Sequence, residues 1–163
     1  MKKTNAVRIL DRFKIGYQLI EYDVDESDLS AVHVASTAQI PIAEVYKTLV
    51  LQGDKNGIFV CIIPGADEID LKKAAVESSN KKVALIAMKD LEPFTGYIRG
   101  GCSPLGMKKN FPVYFDQSAF DHAFIYISAG VRGMQIRLAP ADLKVACKAV
   151  MSDIKTEKSD HLV

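Results

Sequence analysis

Short apolar runs alternate with turn-forming residues along the chain, and the period of each run predicts its conformation. Ala6, Val7, Ile9, Leu10 and Phe13 fall on one face of a helix that Thr4 caps and Gly16 stops. Residues 17–22 alternate as a strand, and the acidic stretch 23–28 reads as a loop. Ser30 caps a helix over 31–39, and Pro41 opens a single turn through Val45. Residues 46–52 and 58–63 predict two strands joined by the hairpin-type turn Gly53-Asp54-Lys55-Asn56-Gly57. Asp70 caps a helix over 71–77; 82–86 reads as a strand and 88–94 as a helical turn or two. Three more strands follow at 111–115, 124–128 and 133–138. Pro140 opens a last helix with Leu143, Ala146, Cys147 and Val150 on one face.

Strands outnumber helices and several adjoin in sequence, so strict βα alternation is absent. The pattern predicts a mixed α+β fold, with a curled, mostly antiparallel sheet and helices packed around it. The 163 residues suit one domain over 1–155, with a frayed tail at 156–163 that has little to bury. With 48% hydrophobic and 25% charged residues the composition is that of an ordinary globular protein. No apolar run reaches the ~18 residues of a membrane span. The N-terminus has no apolar region of the kind a signal peptide needs, so the cytoplasm is the expected location. A net charge of +1 argues against a DNA-coating protein but leaves room for local basic patches. Cys61, Cys102 and Cys147 are odd in number and irregular in spacing, which fits neither a disulfide framework nor a zinc site.

Three stretches carry candidate chemistry. In the strand from Val45 to Leu51, alternation puts Lys47 in a row with Val45, Leu49 and Leu51. Such a lysine either snorkels from the strand end or holds its charge in a pocket for an anion or carbonyl. The run from Gly96 to Lys109 contains Gly96, Gly100, Gly101 and Gly106, and is either a structural turn or a loop that offers peptide N–H groups to an oxyanion. Gly101 and Gly106 have P-loop spacing, but Met107 stands where the lysine belongs, which argues against an ATPase. Arg99, Lys108 and Lys109 make a modest basic patch there. The third stretch, Ser128-Ala129-Gly130-Val131-Arg132-Gly133, predicts a strand corner whose arginine is either merely exposed or clamps a phosphate or carboxylate. Cys102 has no sequence context that brings His33, His122 or the tail residue His161 to it, so a Cys–His nucleophile is not expected. No histidines and cysteines have ligand spacing, so no metal or cofactor is expected. Asp67, Glu68 and Asp70 suit a helix N-terminus.

Taken in order, four segments resemble the YbaK/EbsC family of bacterial aminoacyl-tRNA deacylases, relatives of the inserted editing domain of prolyl-tRNA synthetase. They are Val45-Tyr46-Lys47-Thr48-Leu49, Leu71-Lys72-Lys73-Ala74, the glycine-rich run from Gly96 to Lys109, and Ile125 to Gly130 with Arg132-Gly133. The resemblance implies a partly open barrel with flanking helices. It implies hydrolysis of the ester joining a mischarged amino acid, cysteine above all, to the 3′ end of tRNA(Pro), with Cys-tRNA(Cys) as a second substrate, prolyl-tRNA synthetase as a partner and no membrane or DNA. Lys47 and Gly101 are the implied catalytic positions; Tyr22, Ser103, Ser128 and Arg132 are the implied substrate-binding positions. Gln135 stands where relatives carry an aspartate, and Cys102 where an aliphatic residue is common. The implied mechanism uses the substrate's own thiol. That suits a chain without a triad, metal site or acid–base pair, because intramolecular attack reaches effective molarities of order 10⁵–10⁸ M. An Ala-tRNA(Pro) deacylase of the ProX type and a non-catalytic tRNA- or synthetase-binding module are the rival readings.

Overall fold

The computed structural model describes residues 3–157. Five α-helices and eight strands run in the order α1 (Asn5–Arg12), β1 (Gln18–Glu21), α2 (Ala31–Ala38), β2 (Tyr46–Gly53), β3 (Gly57–Pro64), α3 (Leu71–Glu77), β4 (Val83–Leu85), α4 (Met88–Thr95), β5 (Val113–Asp116), β6 (Ile125–Ser128), β7 (Met134–Leu138), α5 (Pro140–Cys147) and β8 (Val150–Ser152). Thr4, Ser30 and Asp70 cap α1, α2 and α3 through their side-chain oxygens, as expected. Two helix ends differ from expectation. α1 stops before Gly16, because Lys14 already takes the left-handed conformation at φ 60°. α5 stops at Cys147 because Lys148 does the same at φ 54°. Val150, which fits the helical spacing of Leu143, Ala146 and Cys147, therefore leaves the helix and opens β8.

The strands form two sheets, β4-β2-β3-β5-β8 and β1-β7-β6. Four pairings are antiparallel (β1–β7, β2–β3, β2–β4 and β6–β7); β3–β5 and β5–β8 are parallel. The fold is thus mixed and mostly antiparallel, and it does not close. A parallel bridge between Val45 and Tyr126 joins the two sheets. It sits two residues before Lys47.

The main core lies between the sheets and α1, with Leu10, Val60, Phe115, Ile127 and Ile136 all buried. A second cluster, Leu51, Phe59, Cys61, Ile63, Ala74 and Ile154, seals β2 and β3 against α3. A third, Ala35, Val45 and Tyr126, seats α2 on the joint between the sheets. The β2–β3 hairpin closes at the Gly53–Gly57 pair. The Asn80 side chain occupies the space a Gly53 Cβ would need. There Asn80 Oδ1 accepts from the Lys55 and Asn56 N–H groups at 3.0 and 2.7 Å. The start of the expected tail is tied down: Lys155 pairs with Ile69, and the Thr156 N–H donates to the Glu68 carbonyl at 2.9 Å. Residues 158–163, with the rest of that tail, lie outside the described residues.

Candidate active site

A cavity of about 400 Å³ opens where the two sheets meet. Its walls are the start of α2, strand β2 from Tyr46 to Val50, the N-terminal half of α4, the glycine-rich loop, and Ser128 and Gln135 from the smaller sheet. Most of that lining is apolar, contributed by residues such as Val34, Val50, Leu91 and Met88. Among the described residues Lys47 and Arg99 are the charged ones on the walls, and no carboxylate lines it.

Lys47 stands opposite Ile63 on β3 and is half-buried. Its ammonium makes no hydrogen bond or ion pair among the described residues. Burial lowers its pKa below the usual 10.5, against the opposing pull of the Glu68 and Asp67 charges. Its neighbour Thr48 turns the other way, as alternation requires.

The glycine-rich loop closes one side. Gly100 and Cys102 line the cavity, while Gly101 between them backs against the β6–β7 corner. A Cβ on Gly101 would lie 3.1 Å from the backbone at Val131 and Arg132, so only glycine lets the two segments approach freely. The Gly101 N–H donates to the Ile98 carbonyl at 3.0 Å. Arg132 locks the same contact: its Nε donates to the Arg99 carbonyl at 2.9 Å, and its Nη1 lies 3.7 Å from the Glu26 carboxylate. Ser128 lines the cavity, and its Oγ accepts from the Gly130 N–H at 3.1 Å. Ser103 is fully buried, with its Oγ accepting from the Leu105 N–H, and Tyr22 is half-buried one residue beyond β1. Neither is among the residues lining the cavity.

Cys102 reaches the cavity wall, but burial pushes its thiol up to about 12, so it is protonated at neutral pH. Neither described histidine activates it. His33 sits by Thr37 and Asp28, and His122 stacks edge-on against Tyr46 at 6.2 Å between centroids. His161 lies outside the described residues. Among the described residues no group of three or more His, Cys, Asp or Glu side chains is placed to hold a metal ion, and no helix is long and apolar enough to cross a membrane.

The family model for the aminoacyl-tRNA editing domain matches residues 26–145, which span every wall of this cavity. The chain belongs to that family. It is 46% identical, over 96% of both chains, to EbsC of Enterococcus faecalis, provisionally named a Cys-tRNA(Pro)/Cys-tRNA(Cys) deacylase. Among solved structures it resembles one described provisionally as a trans-editing enzyme for prolyl-tRNA synthetase, with TM-score 0.81, 21% identity, and 96% of this chain and 100% of that one covered. A crystallised hypothetical protein shares the fold at TM-score 0.85 and 18% identity, over 94% of this chain and 100% of that one. For this editing-domain chain the cavity thus unites Lys47, Ser128 and the glycine-rich loop. Arg132 and Gly101 stand just behind its wall. Sequence reasoning did not find the α2 wall or the place of Thr48 on the cavity lining. The signal for Thr48 was a polar residue on the inward row of a strand that otherwise buries Tyr46 and Val50.

Proposed function

We propose that this chain deacylates Cys-tRNA(Pro) in trans, and Cys-tRNA(Cys) through the same acyl pocket. The observation that supports it most is Lys47: a half-buried lysine, unpaired among the described residues, on a largely apolar cavity whose described walls hold no carboxylate. The 46% identity to a relative bearing that name points the same way.

The chemistry starts with the substrate. The cysteinyl thiolate attacks its own carbonyl carbon; a C–S bond forms, the ester C–O bond breaks, and the electron pair returns to the ribose oxygen, which takes a proton. Water then opens the four-membered thiolactone to free cysteine. Good orientation contributes about 7–11 kcal/mol to such a step, from which ring strain takes back part. Lys47 stabilises the carbonyl oxygen as it gains charge, from a half-buried position where that interaction is stronger than in bulk water. Arg99, exposed at the mouth, meets the phosphodiester of the tRNA end. Ser128 bounds the acyl group; Gly101 and Arg132 hold the loop that carries Arg99, and Tyr22 and Ser103 support the site from outside the cavity. A thiol requirement rejects alanine and proline by reactivity, where size alone separates small apolar groups by only about 1–3 kcal/mol.

A net charge of +1 gives little general hold on tRNA, so prolyl-tRNA synthetase supplies tRNA affinity and the reaction takes place in the cytoplasm, where tRNA is charged. The deciding test is release of labelled cysteine from Cys-tRNA(Pro), for wild type and Lys47→Ala, with Ala-tRNA(Pro) alongside and with or without the synthetase. Fast cysteine release that collapses in the variant is expected. Release of alanine instead moves the substrate, and release of neither leaves a binding module.

A further inference from the structure

Two residues that line the cavity carry unanswered polar atoms. Thr48 Oγ1 and Gln135 Oε1 are both buried and have no hydrogen-bond partner among the described residues. Gln135 is only 6% exposed. Buried polar atoms in folded proteins are nearly always paired, so two orphans on one cavity mark a place where a ligand completes the structure. They come from different sheets: Thr48 from β2 beside Lys47, and Gln135 from β7, where it stands opposite Ser128.

We propose that the free hydroxyl of the terminal ribose, the one next to the esterified oxygen, donates to Gln135 Oε1 and accepts from the Thr48 hydroxyl, and that Gln135 is a specificity residue for a ribose end. This rests on the deacylase reading. An aminoacyl-adenosine end offers four hydrogen donors. The α-ammonium is a cation, and the walls carry Lys47 and Arg99 with no carboxylate to receive it. The side-chain S–H is too weak a donor for the buried Gln135 oxygen, and its sulfur too weak an acceptor for the Thr48 hydroxyl. The adenine amino group lies across the nucleoside from the ester. The ribose hydroxyl is neutral, a strong donor, and bonded to the carbon beside the ester carbon. It therefore falls close to whatever Lys47 polarises, and Thr48 and Gln135 both line the cavity that Lys47 lines. A carboxamide suits it further, because its N–H₂ end serves as donor to the neighbouring ribose oxygen.

The test is a cycle between protein and substrate. tRNA ending in adenosine or in 2′-deoxyadenosine is acylated chemically with cysteine at the 3′ oxygen, and cleavage rates are divided by the buffer rates to remove the intrinsic effect of the hydroxyl. Wild type is expected to cleave the deoxy ester about tenfold more slowly, the loss of one well-placed hydrogen bond. Gln135→Met is expected to lose about as much on the ribose ester and to discriminate by less than about twofold. A ratio in Gln135→Met equal to wild type overturns the proposal. So does a result in which the variant loses sensitivity to N-acetylation of the cysteine instead, since that assigns the acceptors to the amine. Binding of the 3′-cysteinylamide analogue, with and without the 2′-hydroxyl, repeats the cycle by calorimetry without cleavage. If wild type cleaves neither ester the deacylase reading falls, and the amide cycle still decides the hydroxyl contact. Thr48→Val runs through the same cycle as a second variant should Gln135→Met not fold.

Discussion

Lys73 on α3 donates to the Asp153 carboxylate, the Lys155 carbonyl and the Glu157 carboxylate, each at 3.1 Å. Lys47 on β2 donates to none of the described residues. The contrast extends to the regions around them. Behind α3, the hairpin turn is met by Asn80, the Asn80 amide by Ser78, and the α3 N-terminus by Asp70, so that polar groups there are answered. Around the cavity, Lys47, Thr48 and Gln135 are left open. Hydrogen bonding to Asp153 raises the Lys73 pKa, whereas burial lowers that of Lys47. One region answers its polar groups from within; the other leaves three of them without a partner among the described residues.

The largest expected effect comes from removing the open lysine. Lys47→Met should cut deacylation by about 100-fold or more, as loss of one charge-stabilising donor does. It should leave the melting temperature unchanged or slightly higher, because a half-buried unpaired ammonium costs stability. A parallel fall in melting temperature would make Lys47 a structural group and erase the contrast. The reverse experiment is Asn80→Ala. It strands the Lys55 and Asn56 N–H groups, and should cost about 2 kcal/mol, or ~6 °C in melting temperature, without changing kcat/KM at 25 °C.

The pH dependence sharpens the comparison further. Activity should rise as the substrate thiol ionises, near its unperturbed pKa of about 8.5. It should fall again as Lys47 loses its proton, below 10.5, and Lys47→Arg should move that falling limb upward. Stability carries the opposite sign. The unfolded chain holds the Lys47 proton to higher pH than the folded one, so this residue adds stability as pH climbs from its folded pKa toward 10.5. The smallest effect is expected of Cys102→Ala. A protonated wall thiol without a histidine predicts cleavage within about threefold of wild type, and a collapse of rate would identify a nucleophile instead.

Much of the fold was legible because its signals are local. The caps at Thr4, Ser30 and Asp70 and the Gly53–Gly57 turn each declare themselves within a few residues. β8 was not legible: Val150 continues the helical spacing of α5, and the choice to leave the helix is made by Lys148 turning left-handed so that a three-residue strand can dock on β5. In the site, Lys47 stood out as a charge in an apolar row, and the glycines and Arg132 stood out as a loop and a corner. Their relationship did not. That Arg132 grips the Arg99 carbonyl, or that the Gln135 and Thr48 oxygens lack partners, is a property of segments distant in sequence and cannot be spelled by either one alone.

The pairing of β1 with β7 brings Gln18 and Arg137 together across 119 residues. Such long-range contacts are slow to form, because the loop between them must close first. During synthesis Lys47 leaves the ribosome long before Ser128 and Gln135 exist. A nascent or truncated chain therefore owns the lysine but no cavity around it, and competence arrives only when the smaller sheet is finished.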